Sequence, residues 1–272
     1  MTSDLRGRTG RVVVVAGPGG APGRSAIAAN LAALSARSGK KVLLLDLDLE
    51  SPTLRFSFGV SSAASGLAAA MRLLGQNRLE EEQLVRIAQL NAVRPHGLSL
   101  VTGLARDSLI EEVTPHRVAN LLELAKGCFD AVVVDTPPLP STAQLALESH
   151  AAKTDILVAA MEAAEVAVLV GEPSLAGVSR LIEAASVVRG MAAERVVTVL
   201  NRARPGLHSV REVELATADL AGFAIDVAIE DDRFAFDLAQ MEGRPAVLRR
   251  RRSAATAGLR QLLASVMDTG DG

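Results

Sequence analysis

Seven short apolar runs constrain the fold of this chain more than any other feature of its sequence. Val12–Ala16, Lys41–Asp46, Leu98–Thr102, Ala131–Asp135, Val166–Val170, Arg195–Asn201 and Ala224–Ala228 are mostly continuous and rich in valine, and helical patterns separate them. A strand with one face in water alternates apolar and polar residues, whereas a continuous run suits a strand buried on both faces. Such runs alternating with helices predict an α/β fold: a doubly wound, mostly parallel sheet of about seven strands with helices on both faces. Ligand is then expected at the carboxyl ends of the strands. The helices carry their own punctuation. Ile27, Leu31 and Leu34 share one face of the first, which Gly39 can close. The helix before the fourth run has Thr114 as N-cap, Pro115 in its first turn and Gly127 at its end, with Val118, Leu121, Leu122 and Ala125 as its apolar face.

The 272 residues are read as a single domain over 11–267, between a flexible N-terminus (1–10) and a flexible polar tail, DTGDG (268–272). Tryptophan and tyrosine are absent and phenylalanine occurs six times, so the core must be aliphatic. A net charge of −2 gives no general reason to expect a nucleic-acid partner. The single cysteine, Cys128, excludes an internal disulfide and suits a reducing compartment; it reads as a small core residue. His96, His116, His150 and His208 show no metal-ligand spacing. The polar start, MTSDLRGRTG, lacks a signal-peptide core, and no apolar run reaches the roughly 20 residues of a membrane span. The expectation is a cytoplasmic protein, or a peripheral one at the inner face of the membrane or the pole.

The first run leads into Gly17–Ser25, GPGGAPGRS, and then into the helical SAIAANLAALSAR. Strand, glycine-rich turn and helix form the layout of a phosphate-binding loop, in which backbone N–H groups and a helix N-terminus face an anion. The strict pattern G-x-x-x-x-G-K-[ST] fails: aligned on Gly23, its first glycine is Pro18 and its lysine is Arg24. Other parts of a nucleotide site stand where they belong. The second run ends in Asp46-Leu47-Asp48, two carboxylates that could hold Mg²⁺ through water and orient an attacking water. The fourth ends in Asp135, the place of a metal-supporting carboxylate. Either acidic residue alone reads equally well as a strand end; together with the loop they read as a site.

The order GPGGAPGRS, VLLLDLDLE, FDAVVVDTPP and VVTVLNR resembles the ParA/MinD superfamily of deviant Walker ATPases, over roughly residues 11–267. The middle of the chain is most similar to the CpaE/TadZ-like pilus-assembly localisation ATPases of actinobacterial type. That resemblance implies binding of ATP or ADP with Mg²⁺, an ATP-dependent homodimer, and pilus or secretion assembly proteins as partners. By it, Gly19, Gly20, Ala21, Pro22, Gly23, Arg24, Ser25 and Ala26 form the phosphate cradle. Arg24 stands at the place of the lysine that reaches the β- and γ-phosphates, and Ser25 at that of the Mg²⁺ ligand. Asp48 matches the water-orienting aspartate with Asp46 beside it, and Asp135 the metal-supporting one. Asn201, followed by Arg202, matches the residue that reads the adenine edge. The stretch Ala228–Pro245, with Glu230 where the family usually has proline and with Asp232, matches the segment that closes over base and ribose. Members of that branch often carry an additional N-terminal receiver-like domain, while this sequence starts almost at its first strand.

The departures from the family pattern predict weak binding and slow turnover. Many relatives carry a second lysine near the start of the loop that reaches across the dimer, and Gly19 occupies that place. Arg24 keeps the charge but presents its donors at fixed angles. Pro22 lacks the N–H that would point at phosphate. A lost charge-assisted hydrogen bond is worth roughly 1.5–3 kcal/mol, or about a tenfold to hundredfold loss of affinity. A pseudo-ATPase scaffold that keeps the fold without catalysis is the alternative reading. VVVDTPP and DLDLESPTLRFSFG also resemble bacterial tyrosine kinases of the same superfamily, which phosphorylate tyrosines in their own tails; this chain has none. The nitrogenase iron-protein branch needs paired cysteines. Partition-type DNA binding rests only on Arg249–Arg252, a run expected as a solvated helix start. The last helix, near Ala254–Met267, carries Leu259, Leu262, Leu263 and Val266 on one face, which either packs on the domain or addresses a membrane, the former being expected. The segment Pro137–Glu165 is long for one helix and predicts an extra turn or an elongated helix.

Overall fold

The computed structural model describes residues 10–20, 23–61, 64–88, 97–105, 107–145, 151–191, 193–204, 210–249 and 252–267. The expectations placed on Ala21, Pro22, His96, His150, His208, Arg250, Arg251 and both chain ends therefore lie outside the described residues. Seven strands form one sheet: β1 (Arg11–Ala16), β2 (Val42–Asp46), β3 (Leu98–Val101), β4 (Ala131–Asp135), β5 (Val166–Gly171), β6 (Arg195–Ala203) and β7 (Val227–Glu230). Their spatial order is β3-β2-β4-β1-β5-β6-β7 and every pairing is parallel. Between them run α1 (Arg24–Arg37), α2 (Leu54–Ser57), α3 (Gly66–Gly75), α4 (Glu81–Ile87), α5 (Pro115–Cys128), α6 (Thr142–Leu145), α7 (Ala151–Glu162), α8 (Leu175–Arg189) and α9 (Val210–Ala221). After β7 come α10 (Arg233–Glu242), α11 (Ala246–Arg249) and α12 (Ala254–Met267).

Because side chains alternate along a strand, each run serves two cores. Val12, Val14, Leu43, Leu45, Val132 and Val134 pack with Leu121 and Leu122 of α5, Leu157 of α7 and Leu181 of α8. Val13, Val15, Leu44, Val133, Val168 and Val199 face the other layer, built from α1 and α12. Continuous apolar runs are thus the sequence form of a sheet clad on both sides. The chain leaves β1 towards the β3 edge and leaves the adjacent β4 towards the β7 edge, and the crevice this makes opens at the carboxyl ends of β1 and β4.

Thr114 caps α5, its Oγ1 accepting from the Arg117 N–H at 3.4 Å, with Pro115 in the first turn. Two expectations are revised. The first helix is not amphipathic in the ordinary sense: every residue from Ile27 to Ala36 is buried. Its second face is covered by α11 and α12, and the buried Asn30 is satisfied there, accepting from the Val247 N–H at 3.0 Å and donating to the Ala26 carbonyl at 2.7 Å. The seventh strand is shifted from 224–228 to Val227–Glu230. Asp226 bonds both ways to Thr198, its N–H to the carbonyl (3.0 Å) and its Oδ2 to the N–H (2.6 Å), so the ladder opens only at Val227 opposite Val199. The segment 137–165 holds the one-turn α6 ahead of α7, in keeping with the extra turn expected there.

The apolar face of α12 packs on the domain: Leu259, Leu262 and Val266 are fully buried, and Gly258 brings the helix against the backbone of β7. That face is not available to a membrane. Arg249 ends α11 and is ion-paired with Glu242. Among the described residues, no helix is long and apolar enough to cross a membrane.

Candidate functional site

The glycine loop turns at the carboxyl end of β1 and releases the chain into α1. Gly20 and Gly23 take φ of +71° and +98°, a region that side chains disfavour. Gly23 is the N-cap, so α1 starts with no side-chain cap and no acidic residue in its first turn. A 14-residue helix begun this way presents its first N–H groups and positive dipole end to whatever lies in the loop. A methyl group on Gly23 would also run into the Asn201 side-chain amide. Gly23→Ala is therefore expected to lower stability by about 1–3 kcal/mol, read by urea unfolding. An unchanged midpoint would mean that the turn is not held as described.

Arg24 does not project outward. Its Nη1 donates to the Pro18 carbonyl (3.0 Å) and the Gly17 carbonyl (3.5 Å), and its Nη2 lies 3.9 Å from Asp48 Oδ2. Its Nε is buried without a partner. The guanidinium thus braces the inside of its own loop and balances Asp48. Asp48 is itself an anchor: Oδ1 accepts from the N–H groups of Glu50 and Ser51, each at 3.0 Å.

The two strand-end aspartates sit side by side, Asp46 and Asp135 being register partners between β2 and β4. Both are buried, and their environments differ. Asp46 accepts backbone N–H bonds from Asp48 (3.3 Å) and Leu54 (3.1 Å), which shape the turn after β2. Burial, then the neighbouring Asp135 charge, holds its carboxyl well above the usual range. Asp135 is fully buried and neither oxygen has a partner of regular geometry. Its pKa is pushed up to about 7: burial is the main cause and Asp48 adds to it, while the nearby Ser25 hydroxyl and the Arg24 charge pull the other way. An unpartnered carboxylate beside a serine hydroxyl is an oxygen-donor set suited to a hard cation such as Mg²⁺. Among the described residues, no group of three or more histidine, cysteine or acidic side chains could hold a metal ion unaided. Mg²⁺ is usually completed by water and substrate phosphates, and the set at Ser25 and Asp135 fits that habit.

Beside the loop opens a cavity of about 620 Å³. Gly23, Arg24, Ser25 and Ala26 form one end; Asn201, Arg202, Glu230 and Asp232 line the wall. Asp232 also caps α10, its Oδ1 accepting from the Ala235 N–H at 3.1 Å. Arg202 sits at a bulge between β6 and β7, where Asn201 pairs with Ile229 and Ala203 with Glu230. Its φ of +58° is costly for a residue with a side chain, and bulges of this kind re-aim side chains beside functional sites. Phe56, Phe236 and Arg244 are also in the lining; the last two belong to the stretch Ala228–Pro245 expected there, and Phe56 was not singled out from sequence. Their place depends on α2 and α10 meeting, through the close approach of Gly59 and Gly243. Gly19 and Gly20 lie away from this cavity. Gly19 borders a smaller one of about 110 Å³ with Pro137, Pro138, Glu50 and Lys153, the last two ion-paired at 2.7 Å. The loop is tied to the segment after Asp135: the Leu139 N–H donates to the Gly17 carbonyl at 2.9 Å and Pro18 bridges Leu139 in parallel.

With this geometry in place, comparison with known proteins names the fold. The family model described as the CobQ/CobB/MinD/ParA nucleotide binding domain matches residues 13–234. The chain belongs to that family. Solved CobQ/CobB/MinD/ParA-like folds superpose over nearly their whole length. A ParA family ATPase from Chlorobium tepidum TLS gives a TM-score of 0.78 at 22% identity, covering 94% of this chain and 98% of the other. The cell division ATPase MinD of Pyrococcus furiosus gives 0.74 at 20%, with the same coverage. The septum site-determining protein MinD of Pyrococcus horikoshii OT3, complexed with Mg-ADP, gives 0.73 at 19%, covering 97% and 98%. Among curated proteins, the succinoglycan biosynthesis transport protein ExoP of Rhizobium meliloti (strain 1021) is 34% identical over 139 residues, 50% of this chain and 16% of that protein. The tyrosine-protein kinase YwqD of Bacillus subtilis (strain 168) is 29% identical over 136 residues, 50% of this chain and 54% of that protein. The chain spans only about a fifth of the length of the first curated relatives it matches.

Proposed function

We propose that this chain binds ATP and ADP with Mg²⁺ at the glycine loop and works as a nucleotide-switched dimeric positioning factor, hydrolysing ATP slowly. The observation that carries the reading is the buried, unpartnered Asp135 carboxylate facing the uncapped start of α1, with the adjoining cavity large enough for a nucleoside. The N–H groups of α1 bind the phosphates, and Ser25 and Asp135 hold the cation, which supplies charge neutralisation to phosphate oxygens. Asp48, kept in place by Glu50 and Ser51, orients the attacking water. Asn201 and Arg202 face the base. Pilus or secretion machinery, reached at the inner face of the membrane or the pole, is the proposed cargo, on the strength of the CpaE/TadZ-like middle of the sequence.

A second reading, a scaffold that binds without turnover, is favoured by Arg24, whose guanidinium is spent on loop carbonyls and Asp48. Phosphotransfer to a tyrosine of another protein is the corresponding reading for the kinase-like relatives; the chain offers no tyrosine of its own. Partition-type DNA binding has less behind it, since Arg249 is already paired with Glu242.

The test is titration of fluorescent ATP with Mg²⁺, followed by phosphate release from the wild type, Arg24→Lys and Asp48→Ala. Saturable binding is expected, with turnover that Arg24→Lys raises and Asp48→Ala lowers about a hundredfold or more while binding persists. No saturable binding at millimolar ATP would sink the proposal. Binding with no turnover in any of the three would leave the scaffold.

A further inference from the structure

The loop's own arginine is turned inward, yet a second arginine faces the loop from outside. A methyl group built on Gly20 would lie 3.3 Å from Nη1 of Arg180, 3.5 Å from its Cζ and 3.7 Å from its Nη2. These distances bring the guanidinium against the loop at Gly20, where the absence of a side chain and the φ of +71° let it approach. Arg180 is carried by α8, which follows β5, the neighbour of β1 in the sheet. Its position is prepared. Nη2 lies 3.4 Å from Glu172 Oε1, and that oxygen also accepts from the Ser174 hydroxyl at 2.9 Å. Gly177 is what lets the Glu172 side chain lie there, since any Cβ at 177 would collide with it.

We propose that Arg180 contacts the terminal phosphate of the bound nucleotide and sets the preference of this site for a triphosphate over a diphosphate. The proposal rests on the nucleotide-binding reading and deepens it. The direction of the bound molecule follows from the two ends of the loop. Gly23–Ala26 border the large cavity, whereas Gly19 and Gly20 do not. A nucleoside in that cavity sends its phosphates along the loop away from it, so the last phosphate arrives at the Gly20 end, under Arg180. The charge inventory points the same way. Arg24 is 12% exposed, has both Nη groups engaged and has its Nε buried. Arg180 is 43% exposed and held by one loose ion pair, so it can exchange Glu172 for phosphate oxygens without breaking the fold. A guanidinium grips such oxygens with paired, charge-assisted hydrogen bonds.

The experiment measures ATP and ADP affinities, with Mg²⁺, for the wild type, Arg180→Gln and Arg180→Lys, alongside the melting temperature without nucleotide. Arg180→Gln is expected to weaken ATP about tenfold or more and ADP less than twofold, so that the ATP-to-ADP preference collapses. Arg180→Lys, which keeps the charge, should restore part of that preference, and the wild-type preference should shrink with added salt. Parallel weakening of ATP and ADP, or no change in either, overturns the proposal and leaves Arg180 a brace for α8. Failure of the wild type to bind either nucleotide is a different result, and brings down the nucleotide-binding reading itself.

Discussion

Asp135→Asn is expected to make the metal-free protein more stable at pH 8 while removing its Mg²⁺-dependent affinity for nucleotide. The carboxyl ionises near 4 in the unfolded chain and near 7 in the folded one. Between those values the native state binds the extra proton, so the contribution of this carboxyl to stability falls as pH rises and is lost above about 7. A shift of about three pH units corresponds to roughly 4 kcal/mol. Asparagine removes that burden but brings an amide that also lacks partners, so a net gain of about 1–3 kcal/mol is expected. Urea midpoints at pH 5 and pH 8, with chelator present, are the measurement. The wild type should lose stability over that interval, and the variant should lose much less, because Asp46 is also relieved of a neighbouring charge. A wild type equally stable at both pH values would refute the account. The same residue thus costs the metal-free fold stability and, on the proposed reading, would contribute to binding when Mg²⁺ and nucleotide are present.

The second large effect is expected far from the loop. Gly258→Val should lower stability by about 3 kcal/mol or more, a fall in melting temperature of roughly 6–12 °C. A Cβ at 258 would sit 2.5 Å from the Ala228 carbonyl oxygen and 3.0 Å from Ile229 Cα, both backbone atoms that cannot yield without moving β7. Displacing α12 would uncover Leu259, Leu262 and Val266 together. Gly127→Ala is the matched control. It lies near the exposed end of α5 with nothing within 4 Å, so it should be neutral or stabilising by up to about 1 kcal/mol. Equal losses from both substitutions would show that helix chemistry, not the contact with β7, decides.

The sheet was legible because burial on both faces leaves a direct trace in composition, and six of the seven runs became strands within two residues of their expected limits. The carboxylates were legible for a related reason: a charge at the end of four apolar residues, as in AVVVD, marks the mouth of a buried strand. What stayed hidden depends on partners distant in sequence. Nothing in AIAANLAALSA says that α11 and α12 will cover its outer face. The bulge that turns Arg202 exists only because β7 pairs out of step with β6, and β7 was itself expected three residues early. Arg180 reads as an ordinary helix surface residue until α8 is laid beside the loop. Asp46 reads as a free carboxylate, although two backbone amides from the following turn already occupy it.

The bridge between Pro18 and Leu139 has a mechanical consequence. Two ribbons that leave adjacent strands, one towards α1 and one towards α6 and α7, are sewn together at their first step and must travel as one. The outer ribbon, Pro137–Pro140, shares its wall with Gly19, Glu50 and Lys153, and so meets whatever docks against that side of the molecule. A displacement of either ribbon is therefore expected to carry the other with it at Gly17–Pro18 and Leu139.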